Sequence, residues 1–228
     1  MNQLGIAIPC YNELHNLKEL VPKLQDPGLS WVDFVLVDNG SSDDSFSYLC
    51  SLDLKKNIRF MRIENNEGYG NGILEGVKLL TNEYIGWTHA DLQCDPQDLR
   101  KFQNHLVEGV DFLKGKRANR PFLDRFFTAG MSFIVSVVFQ KQFRDINAQP
   151  TIIRRSIFLL MNELPKDFGL DLAVYLKAMK TGNRVQRESV KFGPRRWGSS
   201  HWNTGVLARW KFVKRTLKLA WNIRSGQV

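Results

Sequence analysis

The sequence predicts a single α/β domain of Rossmann-like type, with a mostly parallel central sheet flanked by helices and an amphipathic helix at the C-terminus. Two observations predict the sheet. Short apolar runs begin about every 25 to 30 residues in the first half of the chain, roughly the length of a strand–helix–strand unit, and helix-like stretches lie between them. Such alternation gives parallel strands with right-handed crossovers. The expected strands are 5–9, 34–38, 58–63, 84–88 and 110–113.

Three of the apolar runs are followed by a residue that can start a helix. Asn12, Ser42 and Asp95 can each accept a hydrogen bond from the unpaired N–H groups at a helix N-terminus, and Pro96 suits the first helical turn. We therefore expect helices over 13–24, 42–51 and 95–107. Beyond residue 115 the pattern loosens. There the sequence predicts a helix over 121–140, a polar segment over 143–151, a helix over 171–180 and a strand over 184–190.

Length and composition limit the class of protein. With 228 residues, 43% of them hydrophobic, the chain can bury one substantial core. The cysteines Cys10, Cys50 and Cys94 are odd in number and lack metal-site spacing, which indicates a reducing compartment. No basic and apolar leader opens the sequence, and the longest uncharged stretch, 126–140, is shorter than the roughly 20 residues of a spanning helix. We expect a cytoplasmic protein without a membrane span.

The net charge of +9 lies entirely in the last part of the chain. No acidic side chain follows Glu188, and residues 1–188 carry equal numbers of basic and acidic side chains. A segment of this kind indicates an anionic partner, such as phosphate groups, lipid headgroups or nucleic acid. Its basic residues are Lys191, Arg195, Arg196, Arg209, Lys211, Lys214, Arg215, Lys218 and Arg224.

Residues 203–228 have the pattern of a basic amphipathic helix. Apolar residues recur at spacings of three and four along one stripe, and basic residues cluster on the neighbouring face. Tryptophan in such a stripe is typical of a helix in a membrane interface, and a helix packed on the domain would give the same pattern. Both interpretations stay open. The stripe is Val206, Trp210, Val213, Leu217 and Trp221, and the basic face is Lys211, Lys214, Arg215 and Lys218.

Polar turns follow the first four predicted strands, at 9–13, 38–44, 65–68 and 89–93. Ligands of open α/β sheets bind outside the carboxyl ends of the strands, so these turns are expected to form one site. Asp38 closes the second strand, where its carboxylate can accept hydrogen bonds from a ribose or a base edge. Ordinary turns and helix caps use the same residue types, so this motif alone leaves both interpretations open.

Asp91 and Gln93 give the sharpest chemical signal, because they place two hard oxygen ligands in the turn after the fourth strand. One or two such oxygens hold Mg²⁺ or Mn²⁺ when diphosphate oxygens and waters complete the octahedron. The metal then neutralises a departing diphosphate. In the alternative interpretation, Asp91 is a turn residue ahead of the Asp95 cap.

The four turns carry the motifs IPCYNE at 8–13, VDNGSSDDS at 37–45, NEGYGNG at 66–72 and HADLQCDP at 89–96. In combination they resemble family-2 glycosyltransferases of GT-A fold, and most closely the branch of dolichyl-phosphate mannose synthase and other polyprenyl-phosphate glycosyltransferases. The N-terminal half matches nearly throughout. Weaker pieces of the pattern continue at 145–150, at Asp171 and at 195–201.

The resemblance implies a metal-dependent hexosyltransferase whose donor is a UDP- or GDP-sugar. Residues 1–115 would form the nucleotide-sugar half and 116–202 the acceptor half of the domain, followed by the helix 203–228. Asp91 and Gln93 would hold Mg²⁺ or Mn²⁺. The family usually has aspartate where this chain has His89, and we expect His89 to donate a hydrogen bond to a phosphate. The donor-binding residues would be Pro9, Tyr11, Asn12, Glu13, Asp38, Asn66, Gly68, His89, Ala90 and Asp91.

The resemblance also implies inversion at the anomeric carbon, with a lipid phosphate or a hydroxyl group as the attacking group. A polyprenyl phosphate is already an oxyanion and needs no general base, so catalysis reduces to positioning and charge stabilisation. A hydroxyl group needs a carboxylate base, for which Asp145 and Asp171 are candidates. Catalytic roles are expected for Asp91, Gln93, Arg117 and Asp171. The basic tail favours a phosphate acceptor, bound by Arg117, Gln149, Arg154, Arg195, Ser200 and His201, although His201 stands where the family commonly has lysine.

Two other functions remain as alternatives. The same donor site would serve transfer to a glycan or another hydroxyl acceptor. The chain could also be a non-catalytic module that binds nucleotides or nucleic acid, but it lacks a nucleic-acid-binding signature, and no nucleic-acid partner is expected. The preferred hypothesis is transfer to a polyprenyl phosphate by a protein that lies peripherally on the cytoplasmic face of a membrane.

Overall fold

The structure is a computed structural model that describes residues 3–118, 132, 135–137, 139–140, 142–143, 145–183, 185–197 and 206–225, the last range without the side chains of 206–213 and 216. Within these residues, seven strands form one sheet in the order β3-β2-β1-β4-β6-β5-β7. The strands are β1 (Leu4–Cys10), β2 (Val32–Asn39), β3 (Ile58–Ile63), β4 (Tyr84–Trp87), β5 (Phe112–Ala118), β6 (Thr151–Arg154) and β7 (Val185–Lys191).

Helices lie between the strands and cover the sheet. They are α1 (Leu14–Leu24), α2 (Ser45–Cys50), α3 (Tyr69–Lys78), α4 (Gln103–Val107), α5 (Arg155–Phe158), α6 (Leu170–Lys180) and α7 (Val206–Ser225), with 3₁₀ turns at Pro27–Leu29 and Pro96–Phe102. Residues 132, 135–137 and 139 are also helical. The rest of the helix predicted over 121–140 lies outside the described residues.

The sheet is mostly parallel, as the spacing of the apolar runs predicts. β1 pairs in parallel with β2 and β4, β2 with β3, and β5 with β7. Only β6, within the described sheet, runs antiparallel to its neighbours β4 and β5. The apolar runs of β1 and β2 are continuous because both faces of the sheet are covered by helices. The predicted α/β domain with a C-terminal helix is confirmed.

Two apolar cores lie on the two faces of the sheet. On one face, Leu17, Leu20 and Leu24 of α1 pack with Phe102 and with the side chains of β1 that point to this face, Leu4, Ile6 and Ile8. On the other face, α3 and α6 pack with Trp87 of β4, and α7 joins this second core through Ala220 and Ile223. Among the described residues, no helix has the length and apolar character that crossing a membrane requires.

Local details differ from the sequence prediction. Asn12 does not cap α1: its backbone has φ 54° and its side chain accepts hydrogen bonds from the backbone N–H groups of Ser42 and Asp43 instead. The helix predicted from Ser42 begins only at Ser45. Asp95 accepts a hydrogen bond from Gln97 N as a cap should, but the turn that it starts is 3₁₀ up to Phe102.

Candidate active site

Hydrogen bonds join the first three polar turns at one edge of the sheet. The first and second turns meet where Asn12 N donates to Ser41 Oγ at 3.0 Å and Ser42 N donates to Asn12 Oδ1 at 2.8 Å. The second and third turns meet through Asn39, whose Nδ2 donates to Asn66 Oδ1 at 3.3 Å and to Gly68 O at 3.0 Å. Asn12, Asn66 and Gly68 therefore shape the edge on which a donor would lie.

Gly68 is required by the backbone and by its surroundings. Its φ of 114° lies in the region that favours glycine, and a Cβ there would stand 2.6 Å from Lys166 O. The segment before α6, which contains Lys166, therefore contacts the start of α3. Tyr69 is the first residue of α3.

Asp38 is the clearest sign of a missing ligand. It ends the apolar part of β2 with its side chain fully buried, and neither carboxylate oxygen has a hydrogen-bond partner among the described residues. The nearest cation, Arg62 Nε, lies 3.6 Å from Oδ2. A buried carboxylate without hydrogen bonds is costly. Ribose hydroxyl groups or base N–H groups would supply the donors that this carboxylate lacks.

Glu13 and Arg195 come together although they are 182 positions apart. A guanidinium nitrogen of Arg195 bonds Glu13 Oε1, and Asn16 Nδ2 bonds Glu13 Oε2. Burial raises the pKa of Glu13, the nearby Asp91 raises it further, and the bonds from Asn16 and Arg195 oppose the shift. Arg195, predicted for the acceptor phosphate, is thus bonded to Glu13, a residue predicted for the donor.

A strap formed by residues 192–197 holds Arg195 in this position. At one end, Gly193 N donates to Gln93 O at 2.8 Å, and Gln93 Nε2 donates to Gly193 O at 3.2 Å. At the other end, Trp197 stacks on His15 with the ring centroids 5.2 Å apart, and its Nε1 donates to Glu19 at 3.1 Å. The strap therefore ties the turn after β4 to α1, with Arg195 between these two anchors.

Asp91 and Gln93 fit a hard divalent cation. Asp91 Oδ1 accepts a hydrogen bond from Gln93 N at 3.1 Å, which fixes the carboxylate and leaves Oδ2 for a metal. Because Gln93 Nε2 is bonded to Gly193 O, the amide is oriented and its Oε1 is the atom left for a cation. In the part of the chain that the structure describes, no three His, Cys, Asp or Glu side chains form a cluster. Two protein oxygens plus diphosphate oxygens are the set that Mg²⁺ accepts.

His89 lies at the end of an aromatic stack. Its ring is 5.2 Å from that of Tyr69, which in turn is 4.9 Å from that of Phe168. Phe168 is 40% exposed. The hydrogen bond from His89 to a phosphate stays a prediction.

The other residues predicted for the donor differ in exposure. Ala90 is buried, whereas Tyr11 is 40% exposed at the edge of the site. Pro9, predicted for the donor, lies within β1 and packs close to Gly72.

Asp171 lies in the interior and is surrounded by donors. It is 3% exposed, and its Oδ1 accepts hydrogen bonds from Gln149 Nε2 at 2.8 Å, Trp87 Nε1 at 3.0 Å and Thr151 Oγ1 at 3.2 Å. Gln149, predicted for the acceptor, is equally buried, and its Nε2 also bonds the Tyr69 hydroxyl at 3.2 Å. This geometry supports a positioning role for Asp171 and Gln149, beneath the aromatic stack.

Lys114 is a buried charge that the sequence analysis missed. Its side chain is fully buried in β5, where Nζ donates to Thr151 Oγ1 at 2.8 Å and lies 3.9 Å from Asp171 Oδ1. Burial lowers the pKa of Lys114 to about 8, although Asp171 opposes the shift. In the sequence Lys114 directly follows the apolar Phe112 and Leu113, one position beyond the strand predicted over 110–113.

Arg117 and Asp145 form an ion pair near the strap. Arg117 donates from Nε to Asp145 Oδ1 at 2.9 Å and from its backbone N to Oδ2 at 3.1 Å. Its guanidinium lies 5.1 Å from the ring centroid of Phe192, the first residue of the strap. Asp145, a base candidate, is thus already bound to a cation.

Arg154 is not brought to this site. It ends β6 opposite Tyr84, the first residue of β4, and therefore lies at the edge of the sheet away from the four polar turns. There it bonds Glu83 and the Tyr84 hydroxyl and lies 3.6 Å from Asp111. Ser200 and His201, the remaining acceptor predictions, lie outside the described residues.

Comparisons with known proteins agree with this fold. Undecaprenyl-phosphate 4-deoxy-4-formamido-L-arabinose transferases of Salmonella paratyphi B and Salmonella newport are each 27% identical over 147 residues, which are 62% of this chain and 44% of theirs. The chain thus matches less than half the length of these relatives.

Solved structures share the fold at low identity. Glucosyl-3-phosphoglycerate synthase from Mycobacterium tuberculosis, solved with Mn²⁺, UDP and glucosyl-3-phosphoglycerate, has a TM-score of 0.75 and 11% identity, covering 99% of this chain and 80% of that one. A mannosyltransferase from Pyrobaculum calidifontis, solved with GDP-Man and Mn²⁺, has a TM-score of 0.62 and 18% identity, covering 85% and 58%. These likenesses confirm the GT-A fold that the four motifs imply.

A family model supplies the assignment. The model of glycosyl transferase family 2 matches residues 5–162, which include the four polar turns, Asp38, Asp91 and the ion pair of Arg117 with Asp145. The match covers more than half of the chain. The chain therefore belongs to glycosyl transferase family 2.

Proposed function

We propose that this protein transfers a sugar, with inversion, from a nucleotide-diphosphate sugar to a polyprenyl phosphate. The observation that carries the donor half is the buried carboxylate of Asp38, which has no hydrogen-bond partner among the described residues, on the same edge as Asp91. Asp38 would bind the nucleoside. Asp91 Oδ2 and Gln93 Oε1 would hold Mg²⁺ or Mn²⁺. When bound, the metal supplies positive charge that stabilises the departing nucleoside diphosphate.

The strap adds a protein cation to the same corner. Arg195 is bonded to Glu13 in the first polar turn, so we expect its guanidinium to reach the region in which a diphosphate would lie. Arginine binds phosphate oxygens in a bidentate manner. Burial raises the pKa of Glu13, so the carboxyl group beside this guanidinium is a weaker acid than an exposed one.

The hydrogen bonds of Asp145 and Asp171, the two candidates for a catalytic base, support a phosphate acceptor. Asp145 accepts hydrogen bonds from three nitrogens of Arg117, namely its backbone N, Nε and Nη2. Asp171 is buried and accepts hydrogen bonds from three side chains. A hydroxyl acceptor needs a carboxylate that is free to take a proton, whereas a phosphate monoester needs only positioning and positive charge. Arg117 and Arg195 supply that charge. The relatives named for transfer to undecaprenyl phosphate point the same way.

The acceptor is tested by comparing transfer to farnesyl phosphate with transfer to farnesol, using UDP- and GDP-sugars with Mn²⁺. We expect a lipid-linked sugar with the phosphate only, measured by mass spectrometry of the extracted lipid. Transfer to farnesol, or to a free sugar hydroxyl but not to farnesyl phosphate, would show that the acceptor is a hydroxyl group.

The C-terminal helix supports a peripheral position on the membrane. α7 packs through Ala220 and Ile223, which are buried, whereas Trp221 is 62% exposed and Lys214 and Lys218 are exposed as well. Trp221, the last residue of the predicted apolar stripe, therefore does not lie on the face of α7 that packs on the domain. An exposed tryptophan that follows two exposed lysines on the same helix is suited to anionic lipid headgroups. We place this face against the cytoplasmic leaflet.

Co-sedimentation with vesicles tests this contact. We expect Trp221→Ala together with Lys218→Gln to reduce binding to vesicles with 30% anionic lipid by about tenfold, since each basic residue contributes about 1 kcal/mol near such a surface. Leu160→Ala, which changes an exposed apolar residue on another segment, is the matched control and should bind as the unmodified chain does. Equal binding by the α7 variant would contradict the proposal.

A further inference from the structure

The last two residues of the strap are fastened to the outer face of α1. Arg196 Nη1 donates to Glu19 Oε2 at 2.7 Å, and Trp197 Nε1 donates to Glu19 Oε1 at 3.1 Å. The Trp197 ring stacks on His15 with an angle of 27° between the ring planes. His15 and Glu19 are four positions apart and therefore lie on one face of the helix. One carboxylate and one ring on this face thus hold two successive residues of the strap.

We propose that Glu19 and Trp197 are positioning residues for donor binding, which hold Arg195 where its guanidinium meets the donor diphosphate. The inference rests on the proposed function, because it names the residues that place a cation which that function requires. Both residues would act through the backbone of the strap, since Arg195 directly precedes Arg196 and Trp197.

Arg195 needs such an anchor because the strap has no regular structure of its own. Residues 193–197 belong to no helix or strand, so side-chain contacts fix their course. The bond from Arg195 to Glu13 cannot do so alone once a donor binds, because a phosphate would compete for the same guanidinium. The contacts of Trp197 with His15 and Glu19 involve no group that is predicted to bind the donor, so a ligand would leave them intact.

The anchor would lower the cost of ordering Arg195 when the donor binds. Immobilising one flexible side chain costs a factor of roughly 2 to 10 in affinity, and an arginine on a fixed backbone loses less freedom than one on a loose segment. Trp197 is 47% exposed, so its removal takes little buried area from the fold. Its stack on the exposed His15 is therefore better explained by the placing of the strap than by packing of a core.

The test is a calorimetric titration of the full chain with UDP and with GDP, each in the presence of Mn²⁺. Arg195→Ala should weaken binding by at least about tenfold, because a charged hydrogen bond is lost. Trp197→Ala should weaken it about five- to tenfold, whereas Trp197→Phe, which keeps the ring stack, should stay within about threefold of the unmodified chain. Glu19→Gln should weaken it about threefold. The matched control, Glu163→Gln, removes the same charge from an exposed residue on another segment and should bind as the unmodified chain does.

A double variant separates positioning from a general loss of structure. In the Arg195→Ala background, Trp197→Ala should change the affinity by less than about twofold, because a residue that acts through Arg195 then has nothing left to position. Equal effects of Trp197→Ala in both backgrounds, or no effect in either, would overturn the inference.

Hydrogen exchange without ligand distinguishes failure of this inference from failure of the proposed function. In Trp197→Ala, the peptide that contains residues 192–197 should exchange several-fold faster than in the unmodified chain. Unchanged exchange would overturn the inference whatever the titrations show. If the unmodified chain binds neither nucleotide while Trp197→Ala speeds the exchange, the donor assignment is wrong and the anchoring of the strap on α1 is upheld.

Discussion

Asp91→Asn is expected to weaken Mn²⁺-dependent binding of the nucleotide-sugar by at least about 100-fold. Even residues that only support a metal ligand cost 10- to 100-fold in affinity or activity when changed, and Asp91 would be a direct ligand. The substitution should leave the fold intact, because an asparagine Oδ1 can still accept the hydrogen bond from Gln93 N. Calorimetric titration with the donor, with and without Mn²⁺, measures the effect.

Asp53→Asn is the matched control for this experiment. Asp53 is exposed before β3, at the opposite end of the strand from the polar turns, and the change removes the same charge. Its donor affinity should equal that of the unmodified chain. If Asp91→Asn and Asp53→Asn bind the donor alike, Asp91 does not hold the metal.

Asp171→Ala is expected to lower the free energy of unfolding by about 3 to 5 kcal/mol. The change leaves Lys114 buried without its anionic neighbour and removes the acceptor of Trp87 and Gln149. Removing one partner of a buried ion pair costs this much because the other charge remains buried. Urea denaturation at pH 7 measures the loss, at a pH where Lys114, with its pKa of about 8, is mostly charged.

A second substitution isolates the contribution of the charge. In the Asp171→Ala background, Lys114→Met removes the stranded cation, and the double variant should be more stable than Asp171→Ala alone. A loss below about 1 kcal/mol in the single variant, together with no recovery in the double variant, would mean that Asp171 does not balance Lys114. A fully active Asp171→Ala protein would also exclude a positioning role for this residue.

The sequence predicts well which edge of the sheet carries the polar turns, because this information is local. Asp38 follows an apolar run directly, and Asp91 comes three positions after the strand predicted over 84–88. Parallel strands bring their carboxyl ends to one edge whatever the rest of the chain does. The strand β6 was missed, although the equally short β4 was predicted, because only Ile152 and Ile153 of its four residues are apolar. Its antiparallel position between β4 and β5 depends on pairing partners distant in sequence.

The acceptor side is predicted less well because its residues are defined by long-range contacts. Arg154 and Arg195 look alike as isolated arginines in the sequence, yet the fold places Arg154 with Glu83 at the far edge and Arg195 with Glu13 at the site. The strap, anchored on Gln93 and Glu19, holds Arg195 in this position. Likewise, burial of Asp171 follows from contacts with three other elements rather than from its neighbours in sequence.

The most direct measurement is the melting temperature of the intact protein with a panel of nucleotide-diphosphate sugars, with and without Mn²⁺. A ligand at 100 times its Kd adds about 2.7 kcal/mol of stability, which raises the melting temperature of a chain of this size by about 5 °C or more. We predict such a rise for a UDP- or GDP-sugar only when Mn²⁺ is present. No rise with any donor, or an equal rise without the metal, would contradict a metal-dependent donor site at Asp38, Asp91 and Gln93.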